Sequence, residues 1–375
     1  MTVTLKGMTW SHPRGYDPMV RCSQIFKDKT GIEVVWEKRS LQDFESFPVD
    51  ELAKAYDLIV IDHPHVGQVT QENCLLPLDV AGREGERAAL SKATVGQSYD
   101  SYLWQGRQWA FPIDAATQVQ AYRPDLLAQA PTRWQEVMEL AREGKVLLPL
   151  REPHALMTFY TLAANIGTPC STEQGDLIAP DAGAKVYNLL QDLVAHLDPA
   201  CFAMDPIDAS EEMANAESQS ACIPYTYGYV SYAWEGFRPK RIGFANIPAV
   251  GENGPVGGAL GGTGIAVSAY TKHPQAATDF AYWIAAAEAQ SGPYAAAGGQ
   301  PGNAEAWEAD AVNTPAWDFY RNTRETLEGS FLRPRHDGYM AFQVKASERI
   351  SSGLRAGEAA DAVIADLNAL FRQSF

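Results

Sequence analysis

The sequence predicts an α/β chain folded as two lobes with an interlobe ligand cleft. Three observations predict it. Strand-like and helix-like segments alternate through the N-terminal part of the chain, which implies a parallel sheet with right-handed crossovers. The chain leaves that unit near Pro112, inside a strand-like run where proline marks an edge or a crossing, and returns near Gly264. Finally, 375 residues, 46% of them hydrophobic and 20% charged, are enough for about two cores.

In order, "TVTLKGMTW" alternates as a strand. "DPMVRCSQIFKDKTG" is an amphipathic helix with Met19, Cys22, Ile25 and Phe26 on one face and Gly31 at its end, and Asp17 reads as its cap. "IEVVWEKR" is a second strand, 41–55 a mostly helical segment interrupted near Pro48, and "YDLIVID" a third strand. Helices then dominate, at "RWQEVMELAREG" (with Thr132 as N-cap), "HALMTFYTLAANIG" and "DAGAKVYNLLQDLVAHL". A strand follows at "RIGFANIPAV". The glycine-rich "GPVGGALGGTGIAVSAY" leads into another, a helix spans "PQAATDFAYWIAAAEAQSG", and "AADAVIADLNALFRQ" is the last helix. The expected lobes are 1–111 with 264–302, and 112–263 with 303–375. Crossings are expected near 111–115, 260–264 and 300–306.

A net charge of −16 with no basic stripe argues against nucleic acid or an anionic membrane as partner. No apolar run reaches the roughly 20 residues of a bilayer span. No signal peptide precedes the first strand, so the expectation divides between a removed leader and a cytosolic protein. Cys22, Cys74, Cys170, Cys201 and Cys222 lack CxxC spacing and read as plain thiols, although Cys170 and Cys201 are placed to close a loop.

Several phrases carry a resemblance, in register along nearly the whole chain: "FKDKTGIEVVWE", "YDLIVIDHPHVGQVTQENCLLPLD", "WQGRQWAFPIDAATQVQAYRPDLL", "PLREPHALMTFYTLAANIG" and "GGTGIAVSAYTKHPQAATDFAYWIAAAEAQ". In that order they resemble the extracellular solute-binding proteins of bacterial ABC importers, in the carbohydrate-binding branch that includes maltodextrin-binding proteins. The resemblance implies a type II periplasmic-binding-protein-like fold, a monomer that hands a small-molecule ligand to importer membrane subunits, and a periplasmic location. His63 and His65 depart from it, since sugar binders often carry an aromatic there.

Ligands of open α/β sheets bind beyond the carboxyl ends of the strands. After the first strand, Trp10 offers a stacking face, and His12 and Arg14 offer donors for a carboxylate or hydroxyl, against the readings of Trp10 as core and Arg14 as solvated. After the third, Asp62 and His63 are expected to line the cleft, with His65 in solvent. A His-Pro-His triplet supplies only two metal ligands, which an extended proline backbone directs apart, so no metal is expected there. No nucleophile phrase such as GxSxG or HExxH occurs, so no catalytic residue is assigned. Asp114 either contacts ligand or caps the hinge. Glu152 and His154 open a helix, where an imidazole would add a hydrogen bond, with or without charge, to a position the resemblance fills with a stacking aromatic. Tyr225 and Tyr227 are expected in the cleft, Tyr232 and Trp234 in the core. Gly262 and Thr263 sit at the return crossing. Late in the chain Trp317, Arg333 and Arg335 are candidates to close over the cleft. Arg333 either pairs with an anionic ligand or is solvated.

The reading is therefore a non-enzymatic solute-binding protein without cofactor that closes by hinge motion on a carbohydrate, sugar acid or polyol. The alternatives are a small organic acid, ferric iron held by tyrosines with His63 and His65, and a cytosolic sensor or scavenger of the same fold.

Overall fold

The computed structural model describes residues 3–40 and 48–375. In chain order its main elements begin with β1 (Thr4–Trp10), α1 (Pro13–Thr30), β2 (Glu33–Arg39), α2 (Val49–Ala55), β3 (Leu58–Asp62), α3 (Val66–Glu72), β4 (Leu75–Leu76) and α4 (Glu84–Lys92). The middle holds β5 (Phe111–Tyr122), α5 (Trp134–Arg142), α6 (His154–Asn165), α7 (Pro180–Val194), β6 (Cys222–Tyr227) and β7 (Gly243–Ala245). β8 (Leu260–Ser268), α8 (Pro274–Ala285), α9 (Ala304–Glu308), α10 (Phe319–Glu328), α11 (Tyr339–Ala356) and α12 (Ala360–Arg372) complete it. The helical reading of 41–47 lies outside the described residues.

Two compact units result: Met1–Ala115 with Gly261–Thr314 and Arg335–Asp337, and Ala116–Leu260 with Pro315–Pro334 and Gly338–Phe375. The first differs from the expected lobe one at its end. Residues 303–314 fold with it because Ala304 N donates to Ala93 O (2.7 Å), Trp307 Nε1 to Pro301 O (2.7 Å) and Asn313 Nδ2 to Trp307 O (2.7 Å). Arg335 joins the same unit through its guanidinium, which donates to the carbonyls of Asp100, Ser101 and Leu103.

In the first unit β1 runs parallel to both β2 and β3, and β8 runs antiparallel to β3 with Thr263 opposite Asp62. Leu58 to Ile61 form a continuous apolar run that is buried throughout, as a sheet covered on both faces requires. α1 buries the expected face, Met19, Cys22 and Phe26, and ends on Gly31 in the left-handed conformation. Its start differs from expectation. His12, not Asp17, is the N-cap, because Pro13 at the first helical position starts the helix five residues earlier. α8 likewise stops at Ala285, since Ala286 is extended (ψ 154°).

In the second unit the later part of β5 pairs antiparallel with β6 and β7. Its buried amides are satisfied, Gln118 Oε1 by the Thr161 hydroxyl (2.6 Å) and Gln120 Nε2 by Pro131 O (2.7 Å). α5 begins with Arg133 as N-cap instead of Thr132. Glu136 Oε2 accepts from both of their backbone N–H groups. All five cysteines are free and buried, and burial pushes the Cys22 and Cys74 thiols up to about 12.

One glycine shows how tightly the first unit closes. A Cβ on Gly15 would lie 2.3 Å from the indole of Trp10. Alanine favours a helix interior over glycine by about 1 kcal/mol, so local propensity alone predicts stabilisation by Gly15→Ala. Overpacking reverses the sign: urea unfolding is expected to show a loss of about 1–3 kcal/mol, and a gain would mean that the Trp10 ring moves aside freely.

Candidate functional site

In the first unit the candidates gather at the carboxyl ends of β1 and β3. Trp10 is only 3% exposed, and Gly15 covers its indole, so it is core rather than a stacking face. His12 Nδ1 accepts from Arg14 N (3.0 Å), which fixes that nitrogen as an acceptor. Arg14 is not solvated. Its Nε donates to Asp114 Oδ2 (2.9 Å) and its Nη2 to Asp114 Oδ1, and both side chains are buried. Two residues read as ligand contacts thus form a bidentate ion pair.

At the end of β3, Asp62 is half-buried and its register partner on β8 is Thr263. The Thr263 hydroxyl is buried with no hydrogen-bond partner among the described residues. The adjoining Gly262 has φ 87°, which only glycine adopts readily. His63-Pro64-His65 is a 3-10 turn leading into α3, not an extended segment, because proline suits the start of a helix. This turn buries both imidazoles, His63 fully and His65 at 4% exposure, so His65 does not face solvent. Tyr102, which sequence reasoning passed over, supports this corner. Its hydroxyl donates to Ile61 O (3.0 Å), His63 meets its ring edge-on at 6.3 Å, and the ring lies where a Cβ on Gly264 would be. The available signal was the aromatic run Tyr99–Trp104, which lacked any periodicity that would single out Tyr102.

The second unit carries a separate group. Glu152 is exposed and precedes a cis Glu152–Pro153 bond. His154 opens α6, is 3% exposed, and packs edge-on to Tyr227 at 6.1 Å. Burial first, then the Arg151 and Arg333 charges, lower its pKa to about 3, so it is a neutral imidazole rather than a cation. Tyr225 is fully buried and stacked on Trp134 (5.9 Å, 18°), which makes it core, whereas Tyr227 is half-buried. Arg333 is buried rather than solvated, its Nε on Leu260 O (3.0 Å) and its Nη1 on Gln343 Oε1 (2.9 Å). Trp317 is exposed beneath the Arg241 guanidinium, 4.4 Å from the ring centroid. Among the described residues no group of three or more His, Cys, Asp or Glu side chains could hold a metal ion. Nor is any helix long and apolar enough to cross a membrane.

Known proteins define the class. The family profile for bacterial extracellular solute-binding proteins matches residues 23–317, and the chain belongs to that family. Its members are extracellular or periplasmic binding proteins, not enzymes, and work with ABC transporter membrane subunits. The fold is the two-lobe α/β fold of periplasmic sugar-binding proteins. An ABC transporter solute-binding protein of Agrobacterium radiobacter in complex with ribitol matches at 18% identity and TM-score 0.82, covering 100% of this chain and 99% of its own. Maltose-bound MalE3 of T. maritima matches at 16% and 0.83, with 100% of both chains covered. The GacH receptor of Streptomyces glaucescens, solved unliganded and with acarbose, matches at 17% and 0.80, covering 100% of this chain and 98% of its own.

Two outcomes are expected. Asp114→Ala strands a buried guanidinium and is expected to cost about 3–5 kcal/mol in chemical unfolding. The apolar double variant Arg14→Met/Asp114→Leu is expected to lose clearly less, and equal losses would show that the pair is not desolvated. The second concerns pH. An unfolded histidine titrates near 6.5 and folded His154 near 3, so the unfolded chain takes up the proton first. The stability from neutral His154 is therefore complete above about pH 6.5 and is lost as pH falls toward 3. His336, lowered to about 4 by burial, acts in the same direction. Urea midpoints between pH 7 and 5 are expected to fall in the wild type and less steeply in His154→Phe. Parallel slopes would contradict a buried neutral imidazole.

Proposed function

We propose that this protein captures a small neutral polyhydroxylated ligand, a sugar or polyol, as a monomer outside the cytoplasmic membrane, for delivery to an ABC importer. One observation supports the neutral ligand over the sugar acid or organic acid. Four basic candidates are already engaged: Arg14 by Asp114, Arg333 by Gln343 and the Leu260 carbonyl, Arg335 by three carbonyls, and His154 by loss of its charge, while His12 Nδ1 accepts from Arg14 N. An anion would have to break one of these arrangements, whereas a hydroxyl needs only a donor or an acceptor. The ribitol and maltose held by proteins of the same fold are neutral as well.

Asp62 and Thr263 are the polar contacts proposed in the first unit. As cross-strand partners they present side chains on one face, a carboxylate that accepts from sugar hydroxyls beside a hydroxyl that both donates and accepts. Tyr227 and neutral His154 are proposed for the second unit, a half-buried ring face beside an imidazole.

A thermal-shift panel of polyols, mono- and disaccharides, their aldonic acids and small dicarboxylates tests this reading. Stabilisation is expected from a neutral member, and a response confined to acids would overturn it. For the responding ligand, Thr263→Val is expected to weaken binding by about 1 kcal/mol, with the unfolding midpoint of the free protein nearly unchanged, and Asp62→Ala by about 1.5–3 kcal/mol.

A further inference from the structure

We propose that the first unit carries a second small-molecule site, between α4, the end of α8 and the start of α9, that takes a small neutral apolar molecule bearing one hydrogen-bond acceptor. The cavity there has a volume of about 490 Å³. That is within the roughly 300–1,000 Å³ of small-molecule sites. It lies wholly within the first unit and includes none of the residues assigned above to sugar or polyol binding.

Its walls are apolar and shallow: Ala89, Leu90 and Ala93 from α4 and its C-terminus, Ala286 and Ala287 after α8, and the edge of Tyr282. None of the nine residues of α4 is fully buried; Leu90 packs partly against the core, and Ala89 and Leu90 both line the cavity. Tyr282 offers only carbon to the space, because its hydroxyl donates to Leu78 O (2.5 Å) and Arg83 covers its ring at 3.6 Å. The frame is fixed by backbone bonds, Ala304 N to Ala93 O (2.7 Å) and Val95 N to Gly302 O (3.1 Å).

The polarity of the occupant follows from three side chains. Asn303 lines the cavity and is 4% exposed. Its Oδ1 caps α9 by accepting from Glu305 N (3.0 Å), while its Nδ2 has no acceptor among the described residues. That leaves one amide donor for a ligand acceptor. Lys92 and Glu305 line the same cavity with opposite charges, and Glu86 is neutralised by Arg83 (2.7 Å). With two carboxylates and one ammonium the lining has no positive excess to select an anion, and the apolar walls select carbon.

The test uses the full chain with N-phenyl-1-naphthylamine as fluorescent reporter and acetophenone and cumene, which are similar in size, as competitors. Saturable one-to-one reporter binding is expected. Ala89→Phe fills the cavity from an exposed position and should weaken reporter binding roughly tenfold or more, with sugar or polyol binding and the unfolding midpoint unchanged. Asn303→Asp keeps the cap oxygen and removes the donor. It should weaken acetophenone roughly fivefold relative to cumene. Reporter binding that survives Ala89→Phe, or an acetophenone-to-cumene ratio that Asn303→Asp leaves unchanged, would overturn the proposal. Should Asn303→Asp fail to fold, Ala89→Phe decides alone.

Discussion

The buried bidentate pair between Arg14 and Asp114 ties together distant parts of the first unit. It joins residues 100 positions apart, the start of α1 to β5 just before the first unit ends at Ala115. Removing two charges from water is costly, and such a pair persists only when geometry is good and its surroundings are held still. The surroundings meet that condition. His12 caps α1 on the Arg14 N–H, Thr9 donates to Gly15 O (3.0 Å), and Trp10 packs on Gly15. On the other side Ala115 N donates to Gln300 O (2.9 Å), so Asp114 sits in backbone fixed at both ends. Loop, helix and strand are thereby set before any ligand arrives, which is what a preorganised binding surface needs.

The same economy of charge recurs in the second unit. Arg333 is held by an amide and a carbonyl, and burial first, then the Arg151 and Arg333 charges, keep His154 uncharged. A chain of net charge −16 would gain little long-range attraction for an anion. With Arg14 and Arg333 already satisfied, the proposed reading gives these cations no part in capturing one. On the proposed reading, affinity rests on hydrogen bonds to hydroxyls and on ring faces, which is the chemistry of sugars and polyols.

Much of the fold was legible in the sequence because it depends on local pattern. The alternation of "TVTLKGMTW", the continuous "LIVI" run and the spacing of Met19, Cys22 and Phe26 each translate directly into a buried face. The site was legible only as a region. Trp10, Arg14 and Arg333 were read from their chemistry, yet what each does is set by a partner that sequence does not place beside it: Gly15 folding back over an indole, Asp114 a hundred residues on, Leu260 seventy-three residues back. His65 was misjudged because Pro64 starts a helical turn instead of extending the chain, and Tyr225 because the period of two in β6 does not say which face meets Trp134. Tyr102 was missed outright, since a tyrosine that supports a loop looks in sequence like any other.

On the proposed reading the protein selects neutral polyhydroxyl ligands because Arg14, Arg333 and Arg335 are internally engaged. Calorimetric titration with matched pairs, ribitol against ribonate and maltose against maltobionate, tests it most directly. The neutral member of the bound pair is expected to be held at least about tenfold more tightly than its acid, with an affinity insensitive to salt. Tighter binding of the acid, weakening as ionic strength rises, would contradict it.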